Sequence, residues 1–216
     1  MKNWNTVVGA VGIAGAALGI WGGLVYAPGD TKMGDLARIL YVHVPVAWVA
    51  MILLTVAFVS SILWLTKREW RWDYLQEAAM EVGVVMGILL TVQGSIWAKP
   101  TWNTWWAWDP RLTSVAVMVL TFVGILALRA FVDEPVKRAT WSATASVIGW
   151  INVPFVYLCV KWMRSLHQTQ TPWGTMAPEM LQVLLFNTFV VSILCTWMVT
   201  VRYGIAAGER AKEMAE

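Results

Sequence analysis

Charge is scarce in this chain. Asp, Glu, Lys and Arg make up 13% of its 216 residues, where a soluble domain carries about a quarter. Six runs have none of the four: 6–26, 45–65, 82–97, 112–128, 142–160 and 181–201. Proton pumps, coupled carriers and voltage sensors place ionisable groups at membrane depth, so their lack argues against those classes. Cysteine is nearly absent as well. Cys159 and Cys195 stand alone, which excludes a C-x-x-C zinc, redox or covalent-haem motif; each reads as a small buried apolar residue. No G-x-x-x-x-G-K-[ST] occurs, so no P-loop binds a nucleotide. The net charge of +3 calls for no nucleic acid, since flanking cations are ordinary in membrane proteins.

What is present is apolar. Hydrophobic residues reach 58%. A helix needs about 20 residues to cross the roughly 30 Å hydrocarbon layer, and five runs supply that; the third borrows a turn from 78–81. Continuous runs argue against membrane β-strands, which alternate. The expectation is an all-α polytopic protein, six transmembrane helices in one domain over 1–216, without internal repeats. The first run exceeds the 7–15 residues of a signal-peptide core and is read as a retained span. Lys and Arg number six in the odd connections and ten in the even connections and termini. The positive-inside rule then puts both termini in the cytoplasm. Gln93, Asn152, Gln182 and Asn187 read as hydrogen-bonding glue between helices, and Pro154 as a kink in the fifth helix.

Chemistry is therefore expected at helix ends. The only histidines are His43 and His167, both in odd connections and so on the outer face. Pro45 favours a helix start near itself, which puts His43 just ahead of the second helix, where the positive end of the dipole disfavours imidazolium. Taken singly, each histidine also reads as a polar residue at the membrane surface. Single tryptophans such as Trp4, Trp21, Trp64, Trp70, Trp141 and Trp173 fit an interfacial aromatic belt. A belt explains WNTWWAWDPRLTS less well, because Trp102, Trp105, Trp106 and Trp108 crowd one loop spanning 98–114. If helical, Trp102, Trp105 and Trp106 share a face and make a stacking platform. Asp109 then caps the fourth helix and Pro110 opens it. Arg38, Lys99 and Arg111 add cations for an anion, although Arg111 also reads as a snorkelling interface residue. Two imidazoles, a flat aromatic surface and cations match a planar metal-bearing ligand with anionic edges, which is haem. Zinc or copper would need neither platform nor anion partners.

These residues resemble a family. WNTWWAWDPRLTS is similar to the tryptophan-rich WWD segment of haem-handling proteins in cytochrome c biogenesis, and most similar to component C of the cytochrome c maturation system, the CcmC family. RILYVHVPVAW resembles the segment around that family's first external histidine, GSIWAKPTWNTWWAWDPRLTS its third helix end and loop, and NVPFVYLCVKWMRSLHQ its second external histidine. Asn103 stands where the family pattern has glycine, Met163 where it has tryptophan, and Ser165 where it has threonine.

The resemblance implies a bacterial inner-membrane protein that holds haem b transiently and non-covalently at the periplasmic face. It implies His43 and His167 as axial ligands to the haem iron, and Trp102, Trp105, Trp106, Trp108 and Asp109 as the platform for haem and partner. The implied partners are a membrane-anchored haem chaperone, ABC transporter subunits and a small membrane subunit. Loading would assist the chaperone's covalent haem attachment, a lyase-like role. Two alternatives stay open: a b-type membrane cytochrome carrying electrons, and a haem-conducting permease.

Overall fold

The computed structural model describes residues 2–167 and 176–215; Gln168 and Trp173 lie outside them. Seven α-helices hold most of the described residues: α1 (Lys2–Trp21), α2 (Leu40–Lys67), α3 (Trp70–Trp102), α4 (Pro110–Phe131), α5 (Pro135–Gly149), α6 (Asn152–Trp162) and α7 (Pro178–Glu213). They make six segments long and apolar enough to cross a membrane, with α5 and α6 forming one of them. No strand occurs among the described residues, only an isolated bridge between Asp30 and Gly34.

The helix boundaries follow local chemistry. Asp109 caps α4 by accepting from the Arg111 N–H at 2.9 Å, and Pro110 is the first helical residue. Glu134 and Pro135 repeat the device at α5, where the Glu134 carboxylate accepts from the N–H groups of Val136 and Lys137. Proline lacks only an N–H that the first turn leaves unpaired anyway.

Three expectations need correction. First, α2 begins at Leu40 rather than near Pro45, continuing a 3-10 turn over Asp35–Ile39. His43 is therefore a helical residue, because the preceding turn already sets helical geometry that Pro45 continues. Second, the fifth span is broken, not merely kinked at Pro154. The break falls at Trp150–Ile151, where Val153 N–H bonds to the Trp150 carbonyl at 2.9 Å; the α-helical donor to that carbonyl would have been Pro154, which has none. Third, the segment after Trp102 is not helical. Asn103 ends α3 in the left-handed region at φ 57°, which asparagine tolerates better than most residues and glycine best.

The α2–α3 hairpin forms the centre. Leu54, Ala57, Ala79, Met80 and Val84 pack with Met118, Phe122 and Ile125 of α4 and Val153 and Val156 of α6. On the other side α7 covers α2 and α3 and carries α1 outside it. Polar glue appears as expected at three positions. Asn187 donates to the Gly19 carbonyl, Asn152 to that of Ser114, and Gln182 accepts from the Tyr26 hydroxyl. The Gln93 amide oxygen is buried and without a hydrogen-bond partner among the described residues.

At the end of the bundle where α2 passes into α3, charges of α3, α4 and α7 form a buried network. Asp73, fully buried, accepts from Arg129 at 2.8 Å and Arg210 at 3.3 Å. Glu77 accepts from Arg129 at 2.6 Å and Arg202 at 2.9 Å. In sequence these looked like flanking charges; only packing makes them one cluster.

Candidate functional site

The connections 27–39 and 103–109 and the segment 163–167 after α6 meet at the opposite end of the bundle. Beneath them lies a cavity of about 530 Å³, within the usual range for small-molecule sites. Its wall includes His43, Trp102, Trp106, Arg111 and His167. Residues 124 positions apart in sequence thus face one space, His43 from the first turn of α2 and His167 from the segment after α6.

Asp109 holds two of these segments together. Besides capping α4, its carboxylate accepts from the Ser165 hydroxyl at 3.0 Å and the Leu166 N–H at 2.6 Å. Ser165 in turn accepts from the His167 N–H at 3.0 Å. The serine that departs from the family's threonine keeps the hydroxyl on which this linkage depends. Arg111, in the first turn of α4, sets Nη1 3.5 Å from His167 Nδ1. It makes no ion pair among the described residues.

The tryptophans divide. Trp102 lies edge-on to His167, ring centres 6.5 Å apart, and edge-on to Trp97 at 5.4 Å. Trp106 lines the cavity with Trp102, whereas Trp105 and Trp108 point outward, Trp108 being 84% exposed. The turn at Asn103 replaces the single helical face with two groups. The loop is pinned by Ser95, which donates to the Trp105 carbonyl at 2.7 Å, and by Thr104, which donates to that of Trp106 at 2.8 Å.

Arg38 and Lys99 do not reach the cavity. Arg38 is spent on Asp35 and on the carbonyls of Gly23 and Ala27, where a π-helical turn over Gly22–Tyr26 leaves acceptors free. Lys99 bonds back to Asn103. Arg38 is thus held by acceptors at the end of the first span and by Asp35, and Lys99 by the residue that ends its own helix.

Two polar atoms at the cavity are buried without a hydrogen-bond partner among the described residues: His43 Nδ1 and Trp106 Nε1. Such atoms cost free energy unless a ligand satisfies them. Gly94 is a further contributor that sequence reasoning missed. A Cβ there would sit 3.3 Å from His43 Cε1, so glycine lets the imidazole lie against α3. Trp48 and Trp97, also in the wall, were legible only as aromatic residues near helix ends.

A family model described as "CcmC: Heme exporter protein C" matches residues 1–215. The chain belongs to the CcmC family. Among relatives, Heme exporter protein C of Bradyrhizobium diazoefficiens is 37% identical over 142 residues, 66% of this chain and 54% of that protein. The Escherichia coli K12 protein of the same name is 36% identical over 156 residues, 70% and 62% of the two chains. The Haemophilus influenzae CcmC relative is 34% identical over 194 residues, 86% and 77%. Matched segments thus span between about half and three quarters of these curated relatives' lengths.

Proposed function

We propose that the protein binds haem in this cavity, at the periplasmic face of a bacterial inner membrane with both termini cytoplasmic, and presents it to a membrane-anchored haem chaperone for c-type cytochrome biogenesis. Haem b is here a cargo, held non-covalently and passed on. The observation that carries the reading is the composition of one cavity wall: two imidazoles, four indoles and a guanidinium, with His43 Nδ1 and Trp106 Nε1 unpartnered among the described residues.

The donor set fits the cargo. Imidazole is a good iron ligand, and His43 and His167 supply one each. Trp102 and Trp106 offer apolar rings to a flat macrocycle. Arg111 and the Trp106 N–H meet propionates, a charge-assisted contact on the arginine side. Arg38 and Lys99 have no part in this arrangement. Asp109 orients rather than binds: it fixes the α4 start and the Ser165–His167 segment against each other. Trp105 and Trp108, turned outward, are the surface for the chaperone. The family resemblance adds ABC transporter subunits and a small membrane subunit as partners in releasing the loaded chaperone, with the lyase-like help resting on presentation of the haem edge.

The test is the absorption spectrum of purified protein. His43→Ala and His167→Ala each shift or weaken the haem band, and co-purified chaperone carries less haem in both variants. Unchanged spectra in both would remove the ligand assignment. One observation favours the b-type cytochrome alternative: His43 projects from a helix, as ligands of retained haems commonly do. His167, outside α6, favours release. Fast reversible reduction by a quinol with no haem transfer to the chaperone decides for the cytochrome.

A further inference from the structure

We propose that haem reaches this cavity sideways from the bilayer, along an apolar groove between α2 and α6; the inference rests on the reading of the cavity as a haem site. A second hollow of about 660 Å³ runs along the bundle between these helices, over Val56 and Ile52 of α2 and Val153 and Leu158 of α6. Trp48, Met51 and Tyr157 line both this groove and the histidine cavity. Three side chains thus form the shared wall between the two spaces.

The break in the fifth span makes the groove. Trp150, at the break, is anchored to α2: its Nε1 donates to Thr55 Oγ1 at 3.0 Å, and its ring stacks on Phe58 at 4.2 Å. Before that anchor α5 packs along α2; beyond it α6 meets α2 at few points. The space between them opens to the side. Its lip residues Ile52 and Val59 are exposed at membrane depth, Ile52 by 58%.

The chemistry of the lining fits a porphyrin better than water or an ion. The Thr55 hydroxyl is already spent, donating to the Met51 carbonyl and accepting from Trp150. An aromatic ring paired with cations stands at each end. Lys161 lies 5.9 Å from the Tyr157 ring centre at the cavity end, while Lys67 and Arg71 lie 5.8 and 4.8 Å from the Trp72 ring centre at the other. Trp72 Nε1 is buried and unpartnered among the described residues. An apolar slot with a cation at either end suits a flat apolar molecule carrying carboxylates on one edge. The missing polar path through the spans is then no obstacle, since the ring travels in contact with lipid and only its acid groups need a cation.

Full-length protein in lipid nanodiscs, mixed with vesicles preloaded with haem, gives a loading rate from the growth of the histidine-ligated absorption band. Ile52→Trp and Val59→Trp narrow the lip, and Leu120→Trp, on the lipid-exposed face of α4, is the control. The groove route predicts loading slowed about tenfold or more in the two lip variants, with final spectra equal to wild type. Ile52→Ala, which widens the lip, loads faster than wild type, so the idea stays testable should a tryptophan variant fold poorly. Rates equal to the control in all three variants overturn the route and leave the groove to lipid chains alone. A slowed rate accompanied by an altered final spectrum overturns it as well, because those residues then act on binding. Wild type that acquires no histidine-ligated haem instead overturns the reading of the cavity itself.

Discussion

At one end of the bundle Arg129 and Arg210 share Asp73, and Arg129 and Arg202 share Glu77, all within hydrogen-bond distance. At the other end Arg111 has no acidic partner among the described residues, and His43 and Trp106 bury polar atoms with nothing to bond. Both ends take polar groups out of water. The first satisfies most of them mutually: among the described residues each arginine of the network reaches a carboxylate, although the Nε atoms of Arg129 and Arg210, and Gln76 Oε1 and Trp72 Nε1 beside them, have no partner. The second leaves them aimed into a space. A buried ionic network of the first kind costs desolvation, and losing one member strands the rest. An unsatisfied set of the second kind is a standing deficit that a ligand removes. The contrast separates the part of the molecule that holds three helices in register from the part proposed to bind haem.

Four substitutions sharpen that contrast. Asp73→Asn has the largest expected effect. It removes the charged carboxylate that Arg129 and Arg210 share, leaving them only Glu77 and Glu213, and costs about 3–5 kcal/mol of stability. Thermal unfolding in detergent reads the loss, while haem bound per folded molecule stays at the wild-type level. A variant as stable as wild type would mean that the network is solvated. Asp109→Ala comes next, because it removes the α4 cap and the bonds to Ser165 and Leu166. The stability cost is about 2–4 kcal/mol, and here haem binding falls too, since the His167 segment loses its anchor. Unaltered binding would show that this anchor is dispensable.

The smallest effect comes from the tryptophan loop. Trp106→Phe keeps a ring and removes the N–H, so affinity for haem drops by about five- to tenfold, a net hydrogen bond's worth, with little change in stability. Trp108→Ala, at an exposed position, changes stability by no more than about 0.5 kcal/mol and leaves haem affinity alone, but lowers transfer to the chaperone. Equal affinity losses in the two variants would erase the distinction between inward and outward tryptophans.

Much of this was legible in the sequence for local reasons. The six charge-free runs mark the spans because a lipid-facing segment has no use for ionised groups. Asp109-Pro110 marks the start of α4 because cap and first-turn chemistry act over two or three residues. His43 and His167 stood out by rarity, and the parity of the connections put them at one end. The misreadings are equally physical. Pro45 looked like a helix start, yet a 3-10 turn had already begun the helix at Asp35–Ile39. Arg38 and Lys99, read as anion contacts, bond to nearby carbonyls and stand outside the cavity wall, a placement that no local signal carried. Gly94 carried no signal of its own, since its role exists only opposite His43.

Taken alone, the sequence determined the number of the spans, the caps that begin α4 and α5, and the inventory of groups available for chemistry. Those depend on hydropathy and on contacts within a turn. Only the tertiary structure decided which of the clustered tryptophans face inward, which cations are spent on carbonyls, and that Asp73 meets Arg129 and Arg210. Each of these pairings joins segments distant in the chain, and their energies depend on which atoms share a buried space, a quantity that no single stretch of residues contains.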